Sequence, residues 1–447
     1  MGADDKRYAA AVTLGCRLNQ ADTALIFDRL REAGYELVEP GSPLPLDLVV
    51  VNTCSVTASA SQKSRQAVRA LRKRHPGAKV VVTGCGVEVE PEFWKAEPAA
   101  DLLVPNAAKT ALANYLGAPP PPRVPDGPFV EPATGHYPFK RRANLKIQEG
   151  CDNCCAYCVV PLGRGKPRSR DKADAVREFR LLLERGHREI VLAGVNIATY
   201  SDSGAFLPDL VAELLALPGD FRVRLSSTEP HPGNGRLLEL MRDNPGRLCA
   251  FLHLPLQHGA DELLRSMGRK YSREEYAAFA RRAVELVPDI CLGSDVIVGL
   301  PGETPELFAA SMAFVGSLPL AYLHVFGYSR RAGTRAASFP GQVAAKDIAA
   351  RHKELSGVGR GLSRRFVAAQ LGSVVEVLLE EASGPDLASG WSGNYIKVAA
   401  GGPGAGRRLG ELVKVELAAP AGPRGAEGRI WDVNSAQPAK PFPQGGI

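Results

Sequence analysis

Strand-length apolar runs without a polar face recur along the first 117 residues, with helical stretches between them. Arg7 to Leu14, Leu46 to Val51 and Lys79 to Thr83 are such runs. Between them, Gln20 to Ala33 places Leu25, Ile26 and Leu30 at helical spacing before Gly34. Ser59 to His75 reads as a basic amphipathic helix closed by Pro76-Gly77. A strand that is apolar on both faces must be covered on both, which βαβ units around a parallel sheet accomplish. The chain is therefore expected to be an α/β protein that begins with a parallel-sheet domain over residues 1–117.

A break follows. Ala118 to Gly135 holds seven prolines and no periodicity, so residues 118–139 read as an extended Pro-rich linker. Beyond it, six strand-like runs alternate with helical segments: Asn144–Gln148, Glu189–Ala193, Arg222–Ser226, Ala250–Leu256, Ile290–Val298 and Leu323–Tyr328. Six βα repeats predict a partial (βα)6 barrel resembling the eight-fold TIM barrel, with ligands at the C-terminal ends of its strands. Ala344 to Gln370 has a helical pattern, weakened by Gly357, Gly359 and Gly361, and closes a second domain at 140–370. Residues 371–437 change character again. Short alternating runs (Val374–Leu379, Tyr395–Val398, Leu412–Leu417) predict a small antiparallel β-barrel, an architecture often used for oligonucleotides.

The 447 residues suffice for several domains, and 45% apolar with 23% charged residues is the balance of a globular protein. No run approaches eighteen uncharged apolar residues, so no membrane span is expected. The start, MGADDKRYAA, is acidic where a signal peptide needs a basic segment, which predicts a cytoplasmic, reducing location. The net charge of +7 is a weak sign of a polyanionic partner. Its clustering says more: Lys63 to Arg74, Lys140 to Lys146 and Arg164 to Lys172 are locally basic.

Nine cysteines in a reducing compartment point to metal ligation or nucleophilic chemistry rather than disulfides. Cys151, Cys155 and Cys158 have the spacing C-x3-C-x2-C directly after the first barrel strand, and Cys151, Cys154 and Cys158 form a second possible triple. Three clustered thiolates suit zinc or an iron–sulfur cluster. Zinc would call for a fourth ligand, and the nearest histidine, His136, lies fifteen residues upstream. Three ligands on a four-iron cluster would instead leave one iron open. A dispersed triple is also present. Cys16, Cys54 and Cys85 each follow one of the N-terminal strands, and a parallel sheet aligns such positions along one edge, beside helix N-termini that favour thiolates. Cys249 and Cys291 lie inside barrel-strand runs and read as core residues.

Cys151 to Cys158 resembles the signature of radical S-adenosylmethionine (SAM) enzymes, in which Cys155 is the middle ligand. Its pairing with Cys16, Cys54 and Cys85 resembles the methylthiotransferase family over nearly the whole chain. Thr13-Leu-Gly-Cys-Arg-Leu-Asn-Gln20, Asn52-Thr-Cys-Ser-Val-Thr57 followed by Lys63-Ser-Arg-Gln66, and Leu145-Lys-Ile-Gln-Glu-Gly150 are most similar to the family's MtaB-type branch. The resemblance implies an N-terminal cluster domain, a radical SAM barrel and a C-terminal TRAM barrel. It further implies two [4Fe–4S] clusters, held by Cys16, Cys54 and Cys85 and by Cys151, Cys155 and Cys158, with SAM chelated at the open iron of the second. Tyr157, Gly194, Asn196, Ser226, Glu229, Gln257 and Asp295 match pieces that contact SAM in the family. Two departures stand out: His258 occupies a usual serine position, and Gly327 and Ala332 replace prolines.

The branch installs a methylthio group at C2 of N6-threonylcarbamoyladenosine beside the tRNA anticodon. An aromatic C2–H is too weak an acid for ordinary base removal, so a radical cofactor is needed. No Ser/His/Asp arrangement is required. Arg164, Lys166, Arg168 and Arg170, beside the SAM cluster, are then expected to meet the phosphates of the anticodon stem-loop, and an electron donor such as flavodoxin or ferredoxin is implied. The competing readings are another tRNA base such as isopentenyladenosine, a ribosomal-protein aspartate, or a non-catalytic zinc and RNA-binding protein.

Overall fold

The computed structural model describes residues 6–116, 127–131, 133–135, 141–231 and 233–431. Its first sheet is five parallel strands in the spatial order Tyr35–Leu37, Arg7–Thr13, Leu48–Thr53, Lys79–Gly84, Leu102–Leu103. The two edge strands are too short to leave a pattern in the sequence. In the central strands the side chains alternate between two dry faces. Leu48, Val50 and Val81 pack with Ile26 and Leu30 on one, while Val49, Val51, Val80 and Val82 pack with Val68 and Leu71 on the other. Thr13 pairs with Asn52, and Thr53 with Gly84. The three strands therefore end level, and the chain leaves them along one edge.

Six further parallel strands follow in chain order: Arg142–Lys146, Glu189–Ala193, Arg222–Leu225, Phe251–His253, Cys291–Val298 and Tyr322–Gly327. They pair in two groups of three, joined by single bridges at Val223–Leu248 and Ser227–His253, which makes an open arc rather than a closed barrel. Phe179, Leu210, Leu238, Ala280 and Val315, from the intervening helices, share one apolar core with the strands. Each such fully buried large side chain contributes roughly 2 kcal/mol. Helix Ala345–Gln370 runs unbroken through Gly357, Gly359 and Gly361. Packing supplies the reason: a Cβ at Gly359 would stand 3.2 Å from the Leu323 side chain, so a small residue lets the helix lie against the last strand.

The five C-terminal strands close into a barrel, ordered Val374–Gly384, Leu387–Ser392, Lys397–Gly401, Gly425–Ile430, Leu412–Pro420. Its mount is polar. Arg222 and Arg224 are fully buried on one strand and share the Glu189 carboxylate. Their remaining N–H groups donate to the carbonyls of Glu376 (2.9 Å), Trp391 (2.7 Å), Ser392 (2.9 Å) and Gly393 (3.0 Å) in the small barrel. Burial alone would raise the Glu189 pKa, but the two guanidiniums hold it far below the usual carboxylate range.

Most of the expected linker, 118–126, 132 and 136–139, lies outside the described residues, as does Lys140. Its described remainder is packed rather than an open spacer. Phe129 bridges to Arg170, Glu131 and Ala133 are buried, and Thr134 Oγ1 donates to Asp28 Oδ2 at 2.8 Å. Among the described residues no helix is long and apolar enough to cross a membrane.

Candidate functional site

Two cysteine triples stand at strand ends. In the first sheet the turns are shaped by glycines. Gly15 has φ +92°, and a Cβ there would lie 2.6 Å from both Cβ and Sγ of Cys54; Gly84 has φ +94° with the Thr53 backbone at 2.5 Å. A side chain at Gly15 would displace the Cys54 thiol, and one at Gly84 would strike the strand that ends at Thr53. Polar side chains then fix the loops: Asn19 Nδ2 donates to the carbonyls of Leu14 (2.8 Å) and Thr53 (3.0 Å), and Ser64 Oγ donates to Cys54 O at 3.0 Å. Cys54 and Cys85 are buried, whereas Cys16 is exposed. Burial pushes the Cys54 thiol up to about 11, and repulsion from Cys16 and Cys85 adds to it. The three sulfurs thus feel one another.

The second triple follows the first barrel strand. Cys151, Cys155 and Cys158 are half-buried. Burial raises the thiols of Cys151 and Cys158, the latter up to about 12, and repulsion from the neighbouring cysteines adds to it. Each sulfur receives an N–H: Asn153 N to Cys151 at 3.5 Å, Val160 N to Cys158 at 3.4 Å, and Arg269 Nη1 to Cys155 at 3.3 Å. Cys154 is exposed with φ +50°, and Arg335 holds its carbonyl at 2.9 Å. The geometry therefore groups Cys155, and not Cys154, with the other two.

Among the described residues, only His253, Asp295 and His324 bring three metal-ligating atoms within 4.8 Å of one another. Neither cysteine triple is drawn in so far. Thiolates around one zinc ion stand about 3.8 Å apart, as bonds of about 2.3 Å in a tetrahedron require. The wider spacing, the absence of a fourth protein ligand among the described residues, the cradle cut by Gly15 beside Cys54, and the N–H donors to the sulfurs of the second triple fit iron–sulfur clusters at these positions. Burial that opposes thiolate formation is offset once a cationic centre is present.

A cleft of about 290 Å³ opens beside the second triple, lined by Asn153, Asn196, Glu229, Arg269 and Tyr271 among others. Arg269 donates to Glu229 at 2.8 Å as well as to Cys155, and Asn153 Nδ2 donates to Glu229 Oε2 at 2.8 Å. Asn196 is buried and its side-chain Oδ1 accepts from Glu229 N at 3.4 Å; Ser226, outside the cleft's lining, is buried with a hydroxyl that has no partner among the described residues. A carboxylate, a guanidinium and two carboxamides around one cleft suit the amino, carboxylate and ribose groups of SAM.

The other residues expected at SAM are placed differently. Tyr157 packs against Leu263, Met267, Ile297 and Leu300, and burial raises its phenol well above the ordinary value. Gly194 is a close-approach position, where a Cβ would meet Ile197 at 2.8 Å. Gln257, at φ +70°, joins two strands through backbone bonds to Asp295 and Ile297, both 2.8 Å. Asp295 points to His253 (2.9 Å) and His324 (3.2 Å), which hold its carboxyl far below its usual range against the effect of burial. His258 is buried against Glu303 at 3.0 Å and so stays out of the cleft. Gly327 admits Ile348, which would stand 2.8 Å from a Cβ there.

The basic segment beside the second triple divides. Lys166 is exposed. Arg168 lies over the Phe129 ring, 5.3 Å from its centroid, and 3.7 Å from Glu149. Arg164 and Arg170 face inward, contrary to the expectation that they meet phosphate. Arg170 is fully buried among Glu131, Asp174 and Glu178. Arg164 joins a buried network with Glu149 (2.8 Å), Asp22 (3.2 Å), Lys109 and Lys146, close enough to Cys85 and Cys16 for their thiolates to favour its charge. Carboxylates drawn from distant segments consume these charges. Sequence reasoning also missed Arg269, Asn153 and the two histidines, His253 and His324, that flank Asp295, none of which carries a local motif.

Comparison with known proteins accords with this geometry. The radical SAM superfamily matches residues 145–315, and uncharacterized protein family UPF0004 matches residues 8–105. The chain is 34% identical to a threonylcarbamoyladenosine tRNA methylthiotransferase MtaB of Chlamydia pneumoniae, covering 89% of this chain and 92% of that protein. It is 35% identical to a tRNA-2-methylthio-N(6)-dimethylallyladenosine synthase of Cereibacter sphaeroides, covering 93% and 97%. Among solved structures, the radical SAM methyltransferase TsrM of Kitasatospora setae shares the fold at a TM-score of 0.55 and 18% identity, over 74% of this chain and 77% of that one.

Proposed function

The chain belongs to the radical SAM tRNA methylthiotransferase family, and from that premise we propose that its substrate is tRNA carrying N6-threonylcarbamoyladenosine, methylthiolated at C2. The observation that carries the reading is the pair of cysteine triples at strand C-termini in two domains. When bound, SAM and the two clusters would supply the electron, the carbon-centred radical and the sulfur. Cys151, Cys155 and Cys158 would hold the cluster facing SAM; Cys16, Cys54 and Cys85 would hold the other.

The chain's own groups position and shield. Arg269 spans Cys155 and Glu229, so one guanidinium ties a cluster ligand to the wall of the SAM cleft. Glu229 offers a carboxylate to the SAM ammonium, and Asn153 and Asn196 supply polar contacts. The small barrel, fixed by Arg222 and Arg224, sets the side of the arc from which RNA approaches. Lys166 and Arg168 then supply phosphate contacts near the cleft.

The wording around Cys16, Cys54 and Cys151 supports the threonylcarbamoyl substrate. Near-equal identity to a relative named for the dimethylallyl base keeps that base as the second reading. Nucleoside mass spectrometry of tRNA from a deletion strain tests the choice. Loss of the methylthio form of threonylcarbamoyladenosine, with the dimethylallyl analogue retained, is expected; the reverse pattern overturns the assignment.

A further inference from the structure

Positive charge accumulates where the small barrel meets the interior of the arc. Arg17 directly follows Cys16, the exposed thiol of its triple, and its Nη2 donates to Tyr395 Oη at 3.1 Å. Arg424 lies over the Tyr322 ring, 3.9 Å from its centroid, and 5.3 Å from that of Tyr395. Among the described residues neither arginine has a carboxylate within 4.0 Å. Arg222 and Arg224 nearby share Glu189. Arg17 and Arg424 are therefore cations mounted on aromatic faces with their charge unanswered.

Two further observations mark the basin as built. Tyr395 is a bulky residue at φ +63°, a strained conformation that persists only where surrounding structure enforces it. Its phenol is held below the ordinary range: burial alone would raise it, but Arg17, Arg224, Arg142 and Arg424 together prevail. The basin thus carries a net positive potential. A cleft of about 420 Å³, lined in part by Trp391 and Lys397, opens on Arg424.

We infer that Arg17 and Arg424 form a binding site for the carboxylate on the N6 arm of the substrate base, and so select a threonylcarbamoyl over a dimethylallyl adenosine. The inference rests on the substrate reading above. In adenine, N6 hangs from C6 and the ribose from N9; N6 and N9 are each three bonds from C2 and on opposite sides of it. A base that presents C2 to the Cys16 edge with its ribose turned away brings its N6 arm toward the residue next to Cys16. A carboxylate there answers both guanidiniums, whereas a dimethylallyl arm would displace water from them and return no hydrogen bond.

The test measures binding of the reconstituted holoenzyme to three anticodon stem-loops. They carry threonylcarbamoyladenosine, its threonine methyl ester, or dimethylallyladenosine. The wild type should bind the free acid about tenfold more tightly than the ester, the size expected for a charge-assisted contact. Arg424→Gln should lose about tenfold on the acid and nothing on the ester. Arg17→Gln, with iron content measured alongside, should behave the same way. Equal losses on acid and ester would mean a backbone phosphate contact and overturn the inference, as would wild-type indifference to esterification. Failure of the substrate reading would show differently: the wild type alone would methylthiolate the dimethylallyl stem-loop and leave the threonylcarbamoyl one unchanged.

Discussion

Arg269 donates to the sulfur of Cys155 at 3.3 Å while holding Glu229 at 2.8 Å, so a single side chain couples a cysteine of the second triple to the cleft beside it. A cation at a ligand sulfur favours the reduced cluster. Arg269→Met should lower the cluster's reduction potential by tens of millivolts, on the order of 60 mV if the contact differs by about 1.4 kcal/mol between redox states. It should also weaken SAM binding. Potentiometric titration followed by EPR reads the first effect and isothermal titration the second; Arg269→Lys should recover part of both.

Cys154 and Cys155 are neighbours with opposite expected outcomes. Cys154→Ser should leave iron content and deoxyadenosine formation near wild type, because its thiol is exposed and only its carbonyl is held. Cys155→Ser should abolish deoxyadenosine formation. Iron analysis of both anaerobically purified variants separates them.

Gly15→Ala places a methyl group 2.6 Å from the Cys54 sulfur in a left-handed turn. The backbone strain alone costs about 1 kcal/mol, and the clash displaces the thiol. Iron per chain should fall by about half, with the visible spectrum of the remaining cluster retained.

The basic segment supplies a paired test. Arg170→Met breaks a buried network and should cost about 3–5 kcal/mol in denaturant stability, with little change in the salt dependence of tRNA binding measured at low denaturant. Lys166→Ala should spare stability and reduce the salt slope of tRNA binding by about one. Equal effects on the salt slope would contradict the burial of Arg170.

Glu131 introduces a pH dependence. Burial pushes its carboxyl from an ordinary 4.5 up to about 7, with Asp22 assisting and Lys146 and Arg170 opposing. The folded chain therefore holds this proton more tightly than the unfolded chain. Its contribution to stability declines as pH rises from about 4.5 to about 7 and is level outside that window. Between pH 5 and 7.5, wild-type Tm should fall more steeply with pH than that of Glu131→Gln in thermal unfolding.

The strands around both triples were legible because their signals are local. Val49 to Val51 and Val80 to Val82 can only be doubly covered strands, and glycine beside cysteine at their ends marks tight turns. The six barrel strands lie within a few residues of their apolar runs for the same reason. What escaped was long-range polar pairing. Lys146 reads as a surface lysine until Asp22, 124 residues away, is placed beside it. Arg164 and Arg170 look like an RNA-binding strip for the same reason, and Glu131 sits in a stretch that prolines label as spacer. The Arg269 contact joins segments 114 residues apart. Periodicity reports which face is apolar, and it is silent about which buried cation finds which anion.

The mount of the small barrel has an evolutionary corollary. Arg222 and Arg224 grip main-chain oxygens at 376, 391, 392 and 393. Every amino acid presents such an oxygen, so substitutions at those four places leave the attachment chemically intact. The outer barrel can drift in sequence, and with it any preference for one RNA over another, while its orientation toward the catalytic arc is inherited unchanged.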